Sequence, residues 1–452
     1  MGDLRATLNK EIDLWFWKKY EERIITVLLC IVALGFPVIE LISEMCGKPY
    51  AYQEGFLRGT GFVLLFFSFL CFIRNKKHTI VWSDIFWFLS VVLAVISIIF
   101  SLSVFISFNG PEKYLNEDAF QHLGYFMIFF MATQVKEYKN RKLIFKVIVI
   151  VAIMQTIPSL LQHFDIWPYD CIFSREVAGS YGLTGHYNYY AALAVMFSAM
   201  TMTMFIYKKA KLRWLWFIAS ILCFLATMYS WCRLAWVGLI AYIFLIPVIY
   251  LYQKKTGSES IVSMRYYIIM LVTYALICVY LICCDDVILS QLFETANELQ
   301  EENGGRLGNG RMYIWKLGIS AAKEHWLTGL GLDNYYYAIR VRPDLQGSFV
   351  PVKGHSEYIH TFVTQGLPAL INYLCMCAYT FFYGIRNYIK NDKTSEEKLL
   401  TYAFVVMIFA YFAQALFNSS ITNVAPYKWL IMGLLVPRAS QKILWESKKG
   451  KI

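Results

Sequence analysis

Apolar runs recur along almost the whole chain and are separated by short polar segments. A helix needs about 20 apolar residues to cross roughly 30 Å of hydrocarbon. We expect a membrane-spanning helix in each of twelve runs, at 24–44, 57–73, 82–107, 121–134, 143–163, 187–207, 214–230, 234–252, 266–284, 356–383, 399–418 and 427–437. The pattern predicts an all-α integral membrane protein with about twelve transmembrane helices.

The longest polar interval covers residues 285–354. Connections between helices usually have about 4–6 residues, so an interval this long indicates a functional loop. Apolar residues at helical spacing predict short helices at 291–302 and 311–325, joined by a glycine-rich turn. We therefore divide the chain into N-terminal transmembrane helices (1–284), one large extracytoplasmic loop (285–354) and C-terminal transmembrane helices (355–452).

Composition and charge exclude two broad classes of protein. With 58% hydrophobic and 16% charged residues, the chain cannot be an ordinary soluble domain. Lys and Arg cluster in alternate intervals, such as RNKK at 74–77 and KKAKLR at 208–213, and the positive-inside rule assigns these to the cytoplasm. Both termini are then predicted to be cytoplasmic. The net charge of +11 is explained by contact with anionic headgroups of the bilayer, without nucleic acid.

The N-terminus and the cysteines add little chemistry. Trp15, Phe16 and Trp17 among charged residues predict an interfacial amphipathic helix before the first span. The cysteine spacing fits no zinc site, and we expect no metal and no cofactor. Cys46 and Cys171 both fall on the predicted outer side, so a disulfide between them is possible but not required.

Arg233 lies between two predicted spans with almost no loop, in YSWCRLAWVG at 229–238. This spacing places the arginine near the outer surface of the membrane. An ionisable residue at such a position either faces a polar cavity or extends to the headgroups as an anchor. The sequence leaves both interpretations open.

Arg311 opens a predicted helix directly after the turn GGRLGNGR at 304–311. Backbone donors, the helix dipole and a guanidinium meet there, and this combination attracts phosphate. Arg306, in the same turn, is a weaker candidate of the same kind. A solvated loop arginine is the alternative for either residue.

Histidines stand at the mouths of two predicted spans. His355 precedes the span at 356–383, and a neutral imidazole there could take a proton from a sugar hydroxyl. His186 precedes the span at 187–207 and could line the same cavity. A hydrogen-bonded structural histidine is the alternative for His355, and we interpret His360 as a packing residue.

The order of these motifs resembles the O-antigen ligase and O-antigen polymerase superfamily. The similarity is carried by Arg233, by GNGRMYIWKLGISAAKEHWLTGLGLDNYY in the loop and by HSEYIHTFVTQGLPAL after it, within residues 228–371. The family signature is His, a small polar residue, nine residues, Gly, two residues and Gly. His355, Ser356 and Gly366 fit it, but Ala369 replaces the last glycine. We expect alanine to permit close helix packing there, and the departure weakens the ligase assignment more than the superfamily.

The resemblance implies roles for individual residues. Arg233 and Arg311 would bind the pyrophosphate of a polyprenyl-linked glycan donor, and His355 would handle the hydroxyl of a glycan acceptor. We add Arg306, His186 and Ser356 as candidate substrate-binding residues. The implied activity is a metal-independent, inverting glycosyl transfer at the outer face of the bacterial cytoplasmic membrane, of the polysaccharide polymerase or O-antigen ligase type.

Several alternatives remain open at this level. Ligase and polymerase differ in the acceptor, on which the chain is nearly silent, and the oligomeric state is not indicated. A polyprenol-glycan flippase or another transporter would also have many spans, although it should place ionisable residues at mid-membrane depth in both halves. A structural scaffold is a third class. Carboxylates could orient sugars or be solvated loop residues: Glu301, Glu302, Asp333 and Glu357.

Overall fold

A computed structural model describes residues 2–48, 52–75, 78–111, 116–169, 179–300, 310–342, 351–390 and 393–446, with side chains from Tyr20 onward. The elements are α1 (Gly2–Met45), α2 (Gln53–Arg74), β1 (Thr79–Ile80), α3 (Trp82–Ile99), α4 (Val104–Asn109), α5 (Ala119–Thr133), α6 (Tyr138–His163), α7 (Tyr187–Ile206), α8 (Arg213–Tyr229), α9 (Arg233–Lys255), α10 (Met264–Cys284), α11 (Asp286–Gln300), α12 (Arg311–Ala322), α13 (Tyr335–Arg340), α14 (Glu357–Ile389), α15 (Ser395–Gln414), α16 (Ala425–Leu435) and β2 (Trp445–Glu446). The chain is a mostly helical membrane protein.

A helix lies at each of the twelve predicted positions. Within the described residues, eight helices are long and apolar enough to cross a membrane: α1 from Tyr20, α2, α3, α6, α7, α9, α10 and α14. The remaining four, α5, α8, α15 and α16, are shorter or carry more charge. Twelve crossings therefore stay a prediction. Within the described residues, β1 and β2 pair antiparallel over two residues each, and Tyr207 and Val262 form an isolated β-bridge, which departs from the all-α class.

Two predicted boundaries are wrong. The chain forms one continuous helix from Gly2 to Met45, where we expected a separate interfacial helix and a span. The predicted span at 82–107 is broken, because α3 ends at Ile99 and α4 starts after Ser103, whose hydroxyl accepts a hydrogen bond from the Ile106 amide. A capping serine satisfies backbone donors that a continuous helix would bond internally.

The centre of the bundle is formed by α7, which packs against α8, α9 and α15. Nearly every side chain of α7 is buried, including small residues such as Ala191 and Ala194 that let neighbouring helices approach closely. The helix α15 is buried to a similar degree. These two helices form the core against which the polar end of the bundle is assembled.

The helix α14 is interrupted at Gly366, where the backbone has φ 85° and ψ 172°. The freed backbone groups are bonded by a segment from the large loop, Trp326–Leu332. The Leu367 amide donates to the Trp326 carbonyl at 2.7 Å, and the Leu330 amide donates to the Val363 carbonyl at 2.9 Å. An interruption at membrane depth is tolerated only where such partners exist.

Glycine is required on both sides of this junction. A side chain at Gly366 would collide with the Leu327 carbonyl, and one at Gly329 would collide with the Thr364 carbonyl. Both glycines also have positive φ, which L side chains rarely adopt. Gly366 of the signature therefore breaks the helix and admits the loop, a role that the sequence pattern does not predict.

The large loop is anchored to α14 by its own small core. Ile314 and Leu317 of α12 pack with Leu330, Tyr335 and Val363, the last of these on α14. The loop helices exist as expected, although α11 begins at Asp286 and α12 ends at Ala322 before a short 3-10 turn. Arg306, Glu301 and Glu302 lie outside the described residues, as does Cys171, the predicted partner of the exposed Cys46.

Candidate active site

Arg233 is the first residue of α9, and α8 ends only four positions earlier, at Tyr229. The tight connection predicted from the sequence is confirmed. Its guanidinium donates to Thr295 Oγ1 at 2.9 Å and to Glu298 Oε1 at 3.0 Å, both on α11. The side chain is 17% exposed. Arg233 is therefore held beneath α11 in this structure, and the interpretation as a freely extended anchor is not favoured.

Arg311 opens α12 directly after Gly310, as predicted. Burial lowers the pKa of its guanidinium, and the positive charge of Arg233 lowers it further, while Cys232 and Glu298 oppose the shift. The two arginines that the sequence singled out, 78 positions apart in the numbering, thus lie close enough to repel each other. An anion bound between them would relieve that repulsion.

His355 lies two residues before α14 and has φ 43°, in the left-handed region. Burial lowers the pKa of its imidazole to about 4, and Arg311, His186 and Lys353 add to this effect. The side chain is therefore neutral near pH 7 and can accept a proton. Arg311 and His186 therefore lie near enough to His355 to affect its pKa.

Trp315 connects α12 to the segment that carries His355. Its indole donates to the Gly354 carbonyl at 2.9 Å, and its ring stacks on Phe417 with centroids 5.9 Å apart. Because Trp315 lies four residues after Arg311 on the same helix, this hydrogen bond couples the positions of Arg311 and His355. Sequence reasoning missed this contact.

His186 caps the N-terminus of α7. Its Nδ1 accepts a hydrogen bond from the Asn188 amide at 3.1 Å, so Nε2 carries the proton in the neutral form. Cys232, the residue before Arg233, donates its thiol to Asn188 Oδ1 at 3.1 Å. The Cys232–Asn188 hydrogen bond thereby joins the beginnings of α7 and α9. Burial lowers the pKa of the His186 imidazole to about 4.

Ser356 is the N-cap of α14, and its hydroxyl accepts from the Ile359 amide at 3.4 Å. The side chain is buried, so its visible role is to start the helix after His355. Substrate binding by Ser356 stays a prediction. His360 is buried as expected, stacking on Tyr335 and accepting from the Gly354 amide at 3.4 Å through Nδ1.

Two carboxylates for which a solvated loop position was an alternative are buried. Asp333 is 3% exposed, and its Oδ2 accepts from the Glu117 amide at 2.9 Å. Glu357 is 5% exposed and pairs with Lys428, while accepting from Tyr373 and Tyr411 hydroxyls. Neither is a solvated loop residue. Local sequence patterns do not predict these contacts, because Glu117 and Lys428 lie far from Asp333 and Glu357 in the chain.

The matched part of the chain contains the three principal residues of this site. Residues 218–374 match a protein family described as O-antigen ligase, and this supports the resemblance to the O-antigen ligase and polymerase superfamily. No curated protein matches the chain. Arg233, Arg311 and His355 lie inside the matched range, whereas His186 lies before it.

Proposed function

We propose, from the premise that residues 218–374 form a domain of the O-antigen ligase type, that the chain transfers a glycan from a polyprenyl-pyrophosphate donor to a sugar hydroxyl. In this proposal the end of the bundle that carries Arg233, Arg311 and His355 faces the outside of the cytoplasmic membrane. The protein is then a membrane glycosyltransferase of the polymerase or ligase type.

The observation that carries the proposal is the hydrogen bond that ties α12, which begins with Arg311, to the segment of His355: the Trp315 indole donates to the Gly354 carbonyl at 2.9 Å. Arg233 and Arg311 lie close enough for one to lower the pKa of the other, and Arg311 lowers the pKa of His355. Two fixed cations suit a pyrophosphate leaving group, because planar guanidinium groups can each hold two phosphate oxygens. The imidazole beside them suits the acceptor hydroxyl.

An apolar groove supports a lipid-linked donor. A cavity of about 320 Å³ is lined by side chains of α8, α9 and α10, and Ile288 and Leu292 of α11 cover one end. Trp236, one turn after Arg233 on α9, lies in its wall. A polyprenyl chain in this groove would place its pyrophosphate near Arg233.

The chemistry requires one bond to form and one to break. The acceptor oxygen attacks the anomeric carbon, the bond from that carbon to the pyrophosphate oxygen breaks, and the hydroxyl proton passes to His355. Negative charge grows on the departing pyrophosphate, where the two arginines stabilise it. Direct displacement inverts the anomeric centre, and no step assigned to these residues needs a metal ion.

Transfer can be tested with the full chain in proteoliposomes containing EDTA and a radiolabelled polyprenyl-pyrophosphate glycan. We expect wild type to form a glycosidic product, and Arg311→Ala and His355→Ala to lose it. Arg265→Ala is the matched control, because Arg265 is exposed near the start of α10, at the opposite end of that helix from α11.

Each outcome of this experiment has a distinct meaning. A ladder of products indicates a polymerase, and a single transfer to a lipid-anchored core sugar indicates a ligase. Equal transfer by wild type and the two site variants would refute the proposed site. Movement of intact donor across the bilayer without a new glycosidic bond would replace the proposal with a flippase.

A further inference from the structure

Glu117 lies just before α5, outside the family-matched range, and forms a buried ion pair with Lys353. The distance from Glu117 Oε2 to Lys353 Nζ is 3.1 Å, and the two side chains are 4% and 5% exposed. The residues are 236 positions apart in the sequence. The pair therefore joins the N-terminal helices to the segment that carries His355.

Glu117 also holds the large loop. Its backbone amide donates to Asp333 Oδ2 at 2.9 Å, and Asp333 has φ 57°, in the left-handed region. On its other side, Glu117 Oε2 lies 3.9 Å from His360 Nε2. One residue thus contacts the loop before α13, the segment before α14 and α14 itself.

The conformation of His355 needs such support. A residue other than glycine with φ near 43° is strained and persists only where its surroundings fix it. On the N-terminal side, Lys353 is fixed by Glu117, and Gly354 is held through its amide by His360 and through its carbonyl by Trp315. On the C-terminal side, Ser356 caps α14.

We propose that Glu117 is a positioning residue for the reaction, because its ion pair with Lys353 fixes the 353–355 segment and so aims the His355 imidazole at the acceptor hydroxyl. This inference rests on the proposed function and deepens it. It assigns a part of the site to the N-terminal region, which lies outside the matched residues 218–374.

A purely stabilising role would leave a different signature from a positioning role. Removing one partner of a buried ion pair is costly, whereas replacing both partners by neutral groups often restores stability. The position of a backbone segment is not restored in this way, since the directional contact is gone. Single and double variants therefore separate the two roles.

The variant Glu117→Gln is suited to this test. Glu117 lines a polar cavity of about 50 Å³ together with His122, Gln365 and Ser420, so an amide of the same shape has hydrogen-bonding neighbours there. The matched control is Asp118→Asn. Asp118 is the next residue and is fully buried, but its ion pair is with Arg58 of α2.

The experiment measures glycan transfer and thermal stability for wild type, E117Q, D118N and the double variant E117Q/K353M. We expect E117Q to lower kcat by up to roughly 10²-fold, the effect of a small displacement of a reacting group, with the donor KM little changed. The double variant should regain thermal stability and keep the low kcat. D118N should retain the wild-type kcat.

Two results would overturn the inference: equal losses of kcat in E117Q and D118N, or recovery of kcat together with stability in the double variant. Failure of the proposed function is recognised separately, because wild type would then form no glycosidic product or His355→Ala would remain active. The positioning role alone would be refuted if E117Q were fully active while wild type transfers glycan and His355→Ala is inactive.

Discussion

Two sets of cations at the same end of the molecule differ in the charged groups that surround them. At the candidate active site, Arg311 is buried beside Arg233, and the second positive charge lowers the pKa of the first. In the network behind it, burial works against the charge of Lys353, but Glu117 and Asp333 outweigh burial and raise its pKa. The first set pairs Arg233 with Glu298 at 3.0 Å and adds a second cation, whereas the second set places two carboxylates beside one cation.

This difference in surrounding charge distinguishes residues that can bind a ligand from residues that hold the site in position. Like charges held close in a folded chain cost free energy, which an anionic ligand can offset on binding. Opposite charges buried together are already compensated and instead fix the relative position of the segments that carry them. The first arrangement favours a binding site for an anion. The second favours a structural support that holds this site in position.

The largest effect should come from removing the cation of the compensated set. Lys353→Met leaves the buried carboxylate of Glu117 without its ion-pair partner, and we expect the free energy of unfolding to fall by about 3–5 kcal/mol. Denaturation in detergent micelles measures this change. A variant as stable as wild type would show that Lys353 does not support the fold.

Removing Arg311 should have the opposite profile, with a large loss of activity and a smaller loss of stability. In Arg311→Met, transfer should fall by about 10²–10³-fold, because a cation that stabilises the leaving group is lost. Thermal stability should fall less than in Lys353→Met, since the loss of attraction to Glu298 is offset by the loss of repulsion from Arg233. A variant that is much less stable and still active would contradict the comparison.

The backbone junction in α14 provides a test that does not involve charge. Gly366→Ala forces a side chain into positive φ and against the Leu327 carbonyl, and the strain should cost about 1–3 kcal/mol. Gly59→Ala is the control, because no atom lies within 4 Å of a Cβ added there. Equal thermal stability of the two variants would show that the junction is not constrained as described.

The smallest effect should appear in the pH dependence. Because the pKa of His355 is lowered to about 4, kcat should be flat through neutral pH and should fall only as the pH approaches that value from above. Arg311→Gln removes a positive charge that depresses this pKa, so the acid limb of its residual activity should move to higher pH. A wild-type limb near pH 6.5, the ordinary histidine value, would contradict this assignment.

Local sequence patterns predicted much of this arrangement. Arg233 between two spans and Arg311 after a glycine turn both start helices, because a tight connection restricts where the second helix can begin and glycine adopts turn conformations that other residues avoid. The same reasoning missed Glu117 and Lys353. An ion pair between positions 236 residues apart has no local signature, and hydropathy shows only that each residue lies in a polar segment between apolar runs.

The interruption of α14 was also missed, although the residues that cause it were in view. The apolar run at 356–383 predicts a continuous helix, although it contains Gly366 and Pro368. The position of the break depends on the Trp326–Leu332 segment, which supplies the missing hydrogen bonds. Only the folded chain brings that segment to α14.

The junction between Trp326–Leu332 and α14 also bears on the order of biogenesis. The two halves of α14 cannot satisfy their backbone groups alone in lipid, so a ribosome that released α14 first would deliver an incomplete span to the membrane. In this chain the complementary segment precedes α14 and emerges earlier from the ribosome. Synthesis from the N-terminus thus makes the hydrogen-bonding segment available before the helix that needs it.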